Sequence, residues 1–268
     1  MEYQGYLISH GGKVRDINQD NYYLNGFYRK NDDCFTSLQK IMSQDKILAA
    51  VFDGMGGEKN GEIASRIAAE YMEQKEEQIL ISGDITLFVE EVNKSIIAYD
   101  PQTMMGTTYV AAQVTNDKMI ISNIGDSRGY LWRKGILKKI TKDHTVLQEM
   151  LDNGIFLSKQ VVDHTSKHLL SQCLGMQDEG IEIIPEPYIS NVIELKQGDI
   201  CLLCSDGLTD MVTDQKIQNI LNDYKDIEEA GEMLLGYALT EGGKDNITIL
   251  LIKVNENNVF YKIKSFFL

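Results

Sequence analysis

Five aspartates stand where strand-like runs begin or end, and their surroundings repeat. "VRDINQD" places Asp20 after a short polar turn, and "VFDGMGG" places Asp53 at the exit of an apolar run. "ISNIGDSRGY" holds Asp126, "LLCSDGLTD" holds Asp206 with Asp210 four residues on, and "GGKDNITILLI" puts Asp245 at a strand entrance. Three of them adjoin glycine, as Asp53-Gly54, Gly125-Asp126 and Asp206-Gly207. Turn chemistry explains any one such pair, because Asp bonds its own backbone and Gly accepts positive φ. A functional explanation requires the strand ends to converge. Crowded carboxylates raise one another's pKa and stay ionised only with a cation among them. Ligands that are all oxygen select hard divalent ions, Mg²⁺ or Mn²⁺, and a bare glycine lets a main-chain carbonyl or water reach the ion.

The elements that must position these residues are visible as periodicities. Short β-branched or aliphatic runs at 6–9, 47–52, 107–114, 119–124, 200–204 and 247–254 read as strands. Residues 62–78 carry Ile63, Ala64, Ile67, Ala68, Tyr71 and Met72 on one stripe, the mark of an amphipathic helix. Segments 87–97, 214–221 and 227–239 read the same way. One helix pair comes early, another late, with runs of strands between. That order predicts an α+β chain with mainly antiparallel sheets covered by segregated helices. Residues 143–186 have two weaker helical patterns, 145–153 and 158–174, and little strand signal, which suggests a flap on the main body. The end of the chain, 255–268, reads as a docked terminal tail. No Pro/Gly/Ser-rich linker and no internal repeat divides the chain.

The 268 residues include 26 basic and 40 acidic side chains, a net charge of -14. This excess disfavours nucleic acid, whose binding is built on neutralised phosphates, and anionic membrane surfaces. With no bilayer-length apolar run and no signal peptide, a soluble cytoplasmic protein is expected. Cys201 and Cys204 form a CxxC, but no second pair accompanies it, so both read as core thiols.

Taken together, "VRxxNQD", "VFDGMGG", "MGTT", "GDSR", "SDGLTD" and "DNIT" occur in an order that resembles the metal-dependent (PPM, type 2C) serine/threonine protein phosphatases in their compact bacterial form. The resemblance covers roughly residues 3 to 254. It implies a four-layer α/β/β/α sandwich with the flap near 143–186, and a catalytic domain of residues 1–254. It also implies two Mn²⁺ or Mg²⁺ ions activating a water against a phosphoserine or phosphothreonine. By the same likeness Asp53 would bridge both ions, the Gly54 carbonyl would bind one, Asp206 and Asp245 would hold the first, and Asp20 would help hold the second. Arg15 would bind the substrate phosphate through its planar fork. Asp126 and Asp210, with Asp206, match the positions of a third, weaker ion. Thr107 and Thr108 are expected to pack in a central strand, and Arg128 to pair with buried acids. The implied partners are phosphorylated proteins, among them a Ser/Thr kinase, acted on by a monomer.

Two positions depart from the family pattern. Gln19 stands where many relatives have glutamate, leaving four carboxylates against two divalent ions. Met55 stands where eukaryotic relatives carry a histidine proposed as general acid. His164 and His168 have the i, i+4 spacing of a zinc pair, but no third ligand accompanies them, and a surface helix face or substrate contact by the flap fits better. Two other functions use the same fold: a non-catalytic binding module, expected to lose metal aspartates, and a phosphatase of a small metabolite.

Overall fold

The structure, a computed structural model, describes residues 1–31, 36–43, 46–55, 60–154, 169–178 and 181–255. In chain order the strands are β1 (Glu2–His10), β2 (Asn21–Leu24), β3 (Thr36–Ser43), β4 (Lys46–Phe52), β5 (Gly54–Met55), β6 (Gly106–Thr107), β7 (Tyr109–Thr115), β8 (Lys118–Ile124), β9 (Arg128–Arg133) and β10 (Ile136–Lys139). They continue with β11 (Gln177–Asp178), β12 (Ile181–Glu182), β13 (Tyr188–Ile189), β14 (Ile193–Glu194), β15 (Ile200–Cys204) and β16 (Ile247–Asn255). The helices are α1 (Gly61–Ser82), α2 (Thr86–Tyr99), α3 (Val146–Asp152), α4 (Asp206–Thr209), α5 (Asp214–Asp223) and α6 (Ile227–Thr240).

Two large sheets form the body. One is ordered β10-β9-β15-β16-β1-β3 and the other β13-β8-β7-β4-β2, with β14 also on β8. Their strand pairs are antiparallel. Period-2 alternation explains how two sheets and two helix layers stack. In β4, Ile47, Ala49 and Val51 face the opposite sheet while Leu48, Ala50 and Phe52 face α1 and α2. In β16, Leu250, Ile252 and Val254 enter the same inter-sheet core, while Ile247, Ile249 and Leu251 pack under α5 and α6. Strands covered on both faces must be apolar at every position, which is why these runs are so legible. The result is the expected α/β/β/α sandwich.

Helix α1 buries Ala64, Ala68 and Met72, with Ile63, Ile67 and Tyr71 half-buried at the margin of the same cluster. Thr213 caps α5 by accepting from the Lys216 N–H, and Asp226 caps α6 by accepting from the Glu228 N–H. Among the described residues no helix is long and apolar enough to cross a membrane.

One expectation needs correction. The second helical pattern of the flap ends at Leu174, but Leu169–Leu174 is not helical. Leu170 bridges Thr145, and Leu174 bridges Thr107, so backbone pairing with neighbouring chain overrides the local periodicity. Residues 155–168, including His164 and His168, lie outside the described residues, as does the tail from 256 onward. Strands β2, β3, β9 and β10 also go beyond the sequence reading. β3 is an edge strand whose residues alternate between half-buried and exposed, so its apolar signal is weak.

Leu250 is fully buried between the sheets. Leu250→Ala is expected to lower unfolding free energy by about 3 kcal/mol, with an unchanged denaturant slope in urea titration.

Candidate active site

Strand register brings the dispersed acids together. Asn21 pairs with Phe52, Val51 with Val110, and Tyr109 with Ile124. One edge of the second sheet therefore gathers Asp20 before β2, Asp53 after β4, Thr108 before β7 and Asp126 after β8. In the first sheet Cys204 pairs with Ile249, which sets Asp206 after β15 near Asp245 before β16. The two edges meet at a cleft of about 330 Å³ lined by Arg15, Gln19, Asp53, Gly54, Asp126, Asp206 and Asp245, among others. An adjoining cavity of about 430 Å³ shares Asp126, Asp206 and Asp245 and adds Asp210 and Lys244. The acids expected at the two-ion site and those expected at a third thus lie around connected spaces.

Asp20 sits behind the cleft, fully buried. Its Oδ2 accepts from Ser205 Oγ at 2.8 Å and Thr248 Oγ1 at 2.7 Å, while its Oδ1 has no hydrogen-bond partner. Burial, with Asp245 and Asp206 nearby, pushes its carboxyl up to about 7. Asp53 is held well above the usual carboxylate range by burial and by Asp206, Asp20, Asp245 and Asp126. Asp126 is raised likewise, first by burial and then by Asp206 and Asp143. Arg15 donates to Asp245 Oδ2 at 2.7 Å, which raises its own pKa and offsets part of the negative charge. Among the described residues no three His, Cys, Asp or Glu side chains already close on one point; the carboxylates ring the cleft.

The residues holding this ring were less visible in the sequence. Asn246 is buried and fully used: its Nδ2 donates to the carbonyls of Gly11 and Ile17, and its Oδ1 accepts from the Gln19 N–H. Asp53 is fixed through its backbone. Its carbonyl accepts from the Thr108 N–H and Thr107 Oγ1, both at 2.9 Å, and its N–H donates to Thr108 Oγ1. Thr107 and Thr108 therefore position Asp53 as well as packing. Their available signal was a pair of hydroxyls in an otherwise apolar strand, as with Thr248 in "NITILLI". Gln19 Nε2 donates to Glu62 Oε2 at 3.2 Å, so the carboxylate missing at position 19 has a counterpart one hydrogen bond away in the first turn of α1. Close backbone approach requires glycine at positions 54 and 207. A Cβ on Gly54 would lie 2.2 Å from the Gly61 carbonyl oxygen, and one on Gly207 1.9 Å from that of Asn246. Gly56 and Gly57 lie outside the described residues.

Arg128 forks onto Asp143, with Nη2 at 2.7 Å, and Lys139 joins them at 3.0 Å. His144 is buried. Its Nδ1 accepts from the Gly125 N–H, its own N–H donates to the Gly125 carbonyl, and its carbonyl accepts from Ser171. It ties the described part of the flap to the Asp126 turn. Cys201 and Cys204 are buried strand residues whose thiols burial pushes up to about 12, which fits core packing.

The sequence profile of the protein phosphatase 2C family matches residues 22–150 and 165–247, and the chain belongs to that family. It is 32% identical over 253 residues to the serine/threonine phosphatase stp of Listeria monocytogenes, covering 90% of this chain and 92% of that one. Its structure resembles that of the Mycobacterium tuberculosis serine/threonine phosphatase PstP/Ppp with a TM-score of 0.75 and 30% identity, covering 96% of this chain and 100% of the other. A catalytic domain of PstP in complex with 2 manganese ions aligns with a TM-score of 0.71, at 30% identity and with the same coverage.

A pair of hard cations fits the residues present. The donors are carboxylate and carbonyl oxygens, and the unpartnered Oδ1 of Asp20 is a buried acceptor in need of a positive partner.

Two predictions test this geometry. Without metal, the folded protein keeps a proton on Asp20 up to about pH 7, whereas the unfolded chain releases it near about pH 4. The native state then binds more protons in that window, so this residue's contribution to stability falls as pH rises through it. The melting temperature of Asp20→Asn minus that of the parent, in EDTA, is expected to grow between those pH values and level off above. Separately, His144→Leu strands the Gly125 N–H and is expected to cost about 1–3 kcal/mol in urea unfolding. His144→Asn, with Oδ1 near the place of Nδ1, should recover most of the loss.

Proposed function

We propose that the protein hydrolyses phosphoserine and phosphothreonine esters in proteins with two Mn²⁺ or Mg²⁺ ions, in the cytoplasm, as a monomer opposing a Ser/Thr kinase that is itself among its substrates. The observation that carries this reading is the convergence of Asp53, Asp206 and Asp245 from both sheets on one cleft that also holds Arg15, with Asp20 buried directly behind it. Asp53 would hold both ions and the Gly54 carbonyl one of them, with Asp206 and Asp245 on the first and Asp20 on the second. Asp126, Asp206 and Asp210 would take a third. Bound there, the ions supply a water of lowered pKa, oriented for in-line attack.

The chain's own residues define the rest. Arg15 can swing its guanidinium between Asp245 and an entering phosphate, because the side chain is half-exposed. Attack forms one P–O bond from water and breaks the ester P–O bond. The departing alkoxide needs a proton that Met55 cannot give, so water or another group must provide it. Thr107 and Thr108 hold Asp53 in place meanwhile. The complete acid set argues against a non-catalytic module. A small-metabolite substrate would show as turnover of metabolites without phosphopeptides.

The test is Mn²⁺-dependent hydrolysis of a phosphothreonine peptide and of p-nitrophenyl phosphate. Asp206→Ala and Asp245→Ala should each reduce kcat/KM at least about 100-fold. Arg15→Ala should raise KM and the inhibition constant of inorganic phosphate about tenfold or more, without weakening Mn²⁺ binding by calorimetry. Metal bound without turnover of either substrate would favour the module.

A further inference from the structure

A third cavity, of about 400 Å³, opens beside the cleft, lined mainly by Met55, Met104, Met105, Cys173 and Met176. Its place in the fold is defined by backbone pairing. β5 pairs with β6, Gly54 against Thr107 and Met55 against Gly106. Thr107 in turn exchanges two hydrogen bonds with Leu174, at 3.0 and 2.9 Å. The groove thus lies against the β5–β6 pair that carries Gly54 and the bridge from Thr107 to Leu174. Met55, the residue after Gly54, lines both the cleft and the groove. A chain whose phosphoryl group reaches Gly54 would hold its neighbouring residues, spaced about 3.3 Å apart when extended, over this groove.

The groove is open to visitors. Met104 is 81% exposed, the most exposed large apolar side chain among the described residues. Methionine is flexible and polarisable, and it suits surfaces that accept apolar groups of varied shape. The chain's net charge of -14 repels phosphorylated, acidic ligands at long range. Affinity for the residues flanking the phosphate is therefore better obtained by apolar contact than by ion pairing.

We propose that this methionine groove is a specificity subsite, which takes one apolar side chain near the phosphorylated residue of a protein substrate. The proposal rests on the phosphatase reading above and adds the chemistry of the neighbouring residue. Binding energy gained there, away from the reacting atoms, can be used to orient the phosphoryl group.

The experiment scans leucine through the three positions on either side of the phosphothreonine in a serine-rich peptide. At one position leucine is expected to raise kcat/KM about tenfold. In Met104→Glu and Met176→Glu this preference should fall to within about twofold, while p-nitrophenyl phosphate turnover and melting temperature stay at parent values. No leucine preference at any position, or a preference that survives both substitutions, would overturn the subsite while leaving the phosphatase reading intact. Failure of the unaltered protein to turn over any substrate would overturn both. A dimer in sedimentation that Met104→Glu dissociates, with no change in peptide preference, would assign the groove to a second copy and likewise overturn the proposal.

Discussion

Mutual repulsion among partly buried carboxylates is the interaction on which the architecture turns. Asp20, Asp53, Asp126, Asp206 and Asp245 would each be more stable apart and in water, yet strands from both sheets deliver them to one place. The surroundings offset this only partly. Ser205 and Thr248 each donate to one oxygen of Asp20 and leave the other bare, and Arg15 covers Asp245. Stability is given up locally to hold these carboxylates around one cleft. Such a site is tolerable because the inter-sheet core and the two helix layers supply stabilisation elsewhere.

Rigidity follows from the same constraint. Groups that repel will drift unless their backbones are held, and the holding groups are backbone amides, hydroxyls and one carboxamide. Asn246 clamps the loop before β2 against the start of β16, and Thr107 with Thr108 clamps Asp53. Gly54 and Gly207 let main chains approach more closely than any side chain allows. Asp20 and Asp53 are therefore held by hydroxyl and backbone groups of neighbouring segments, the kind of support that precise positioning requires.

The two departures from the family pattern have different physical consequences. At position 19 the amide of Gln19 bonds to Glu62, so negative charge is displaced by one side chain rather than lost. At position 55 methionine replaces a proton donor with an apolar surface, and that surface continues into the groove beside the cleft.

Much of this protein was legible in its sequence, for reasons tied to particular segments. Strands β4, β7, β8, β15 and β16 are covered on both faces, so their unbroken apolar runs announced them, and the stripe of α1 announced the helix that covers them. The Asp-Gly pairs marked the turns that carry the acids, and their order marked the family. What the tertiary structure decided was everything that depends on pairing between distant segments. Edge strand β3 gains its order from β1, and Leu169–Leu174 is non-helical because Leu170 and Leu174 bridge to Thr145 and Thr107. The second hydrogen bonds of Thr107, Thr108, Asn246 and His144 are equally invisible locally, since their partners lie tens to hundreds of residues away. Residue types and spacing specify which chemistry a chain can perform. Antiparallel register within each sheet, and the packing of the two sheets edge to edge at the cleft, make carboxylates more than two hundred residues apart into neighbours.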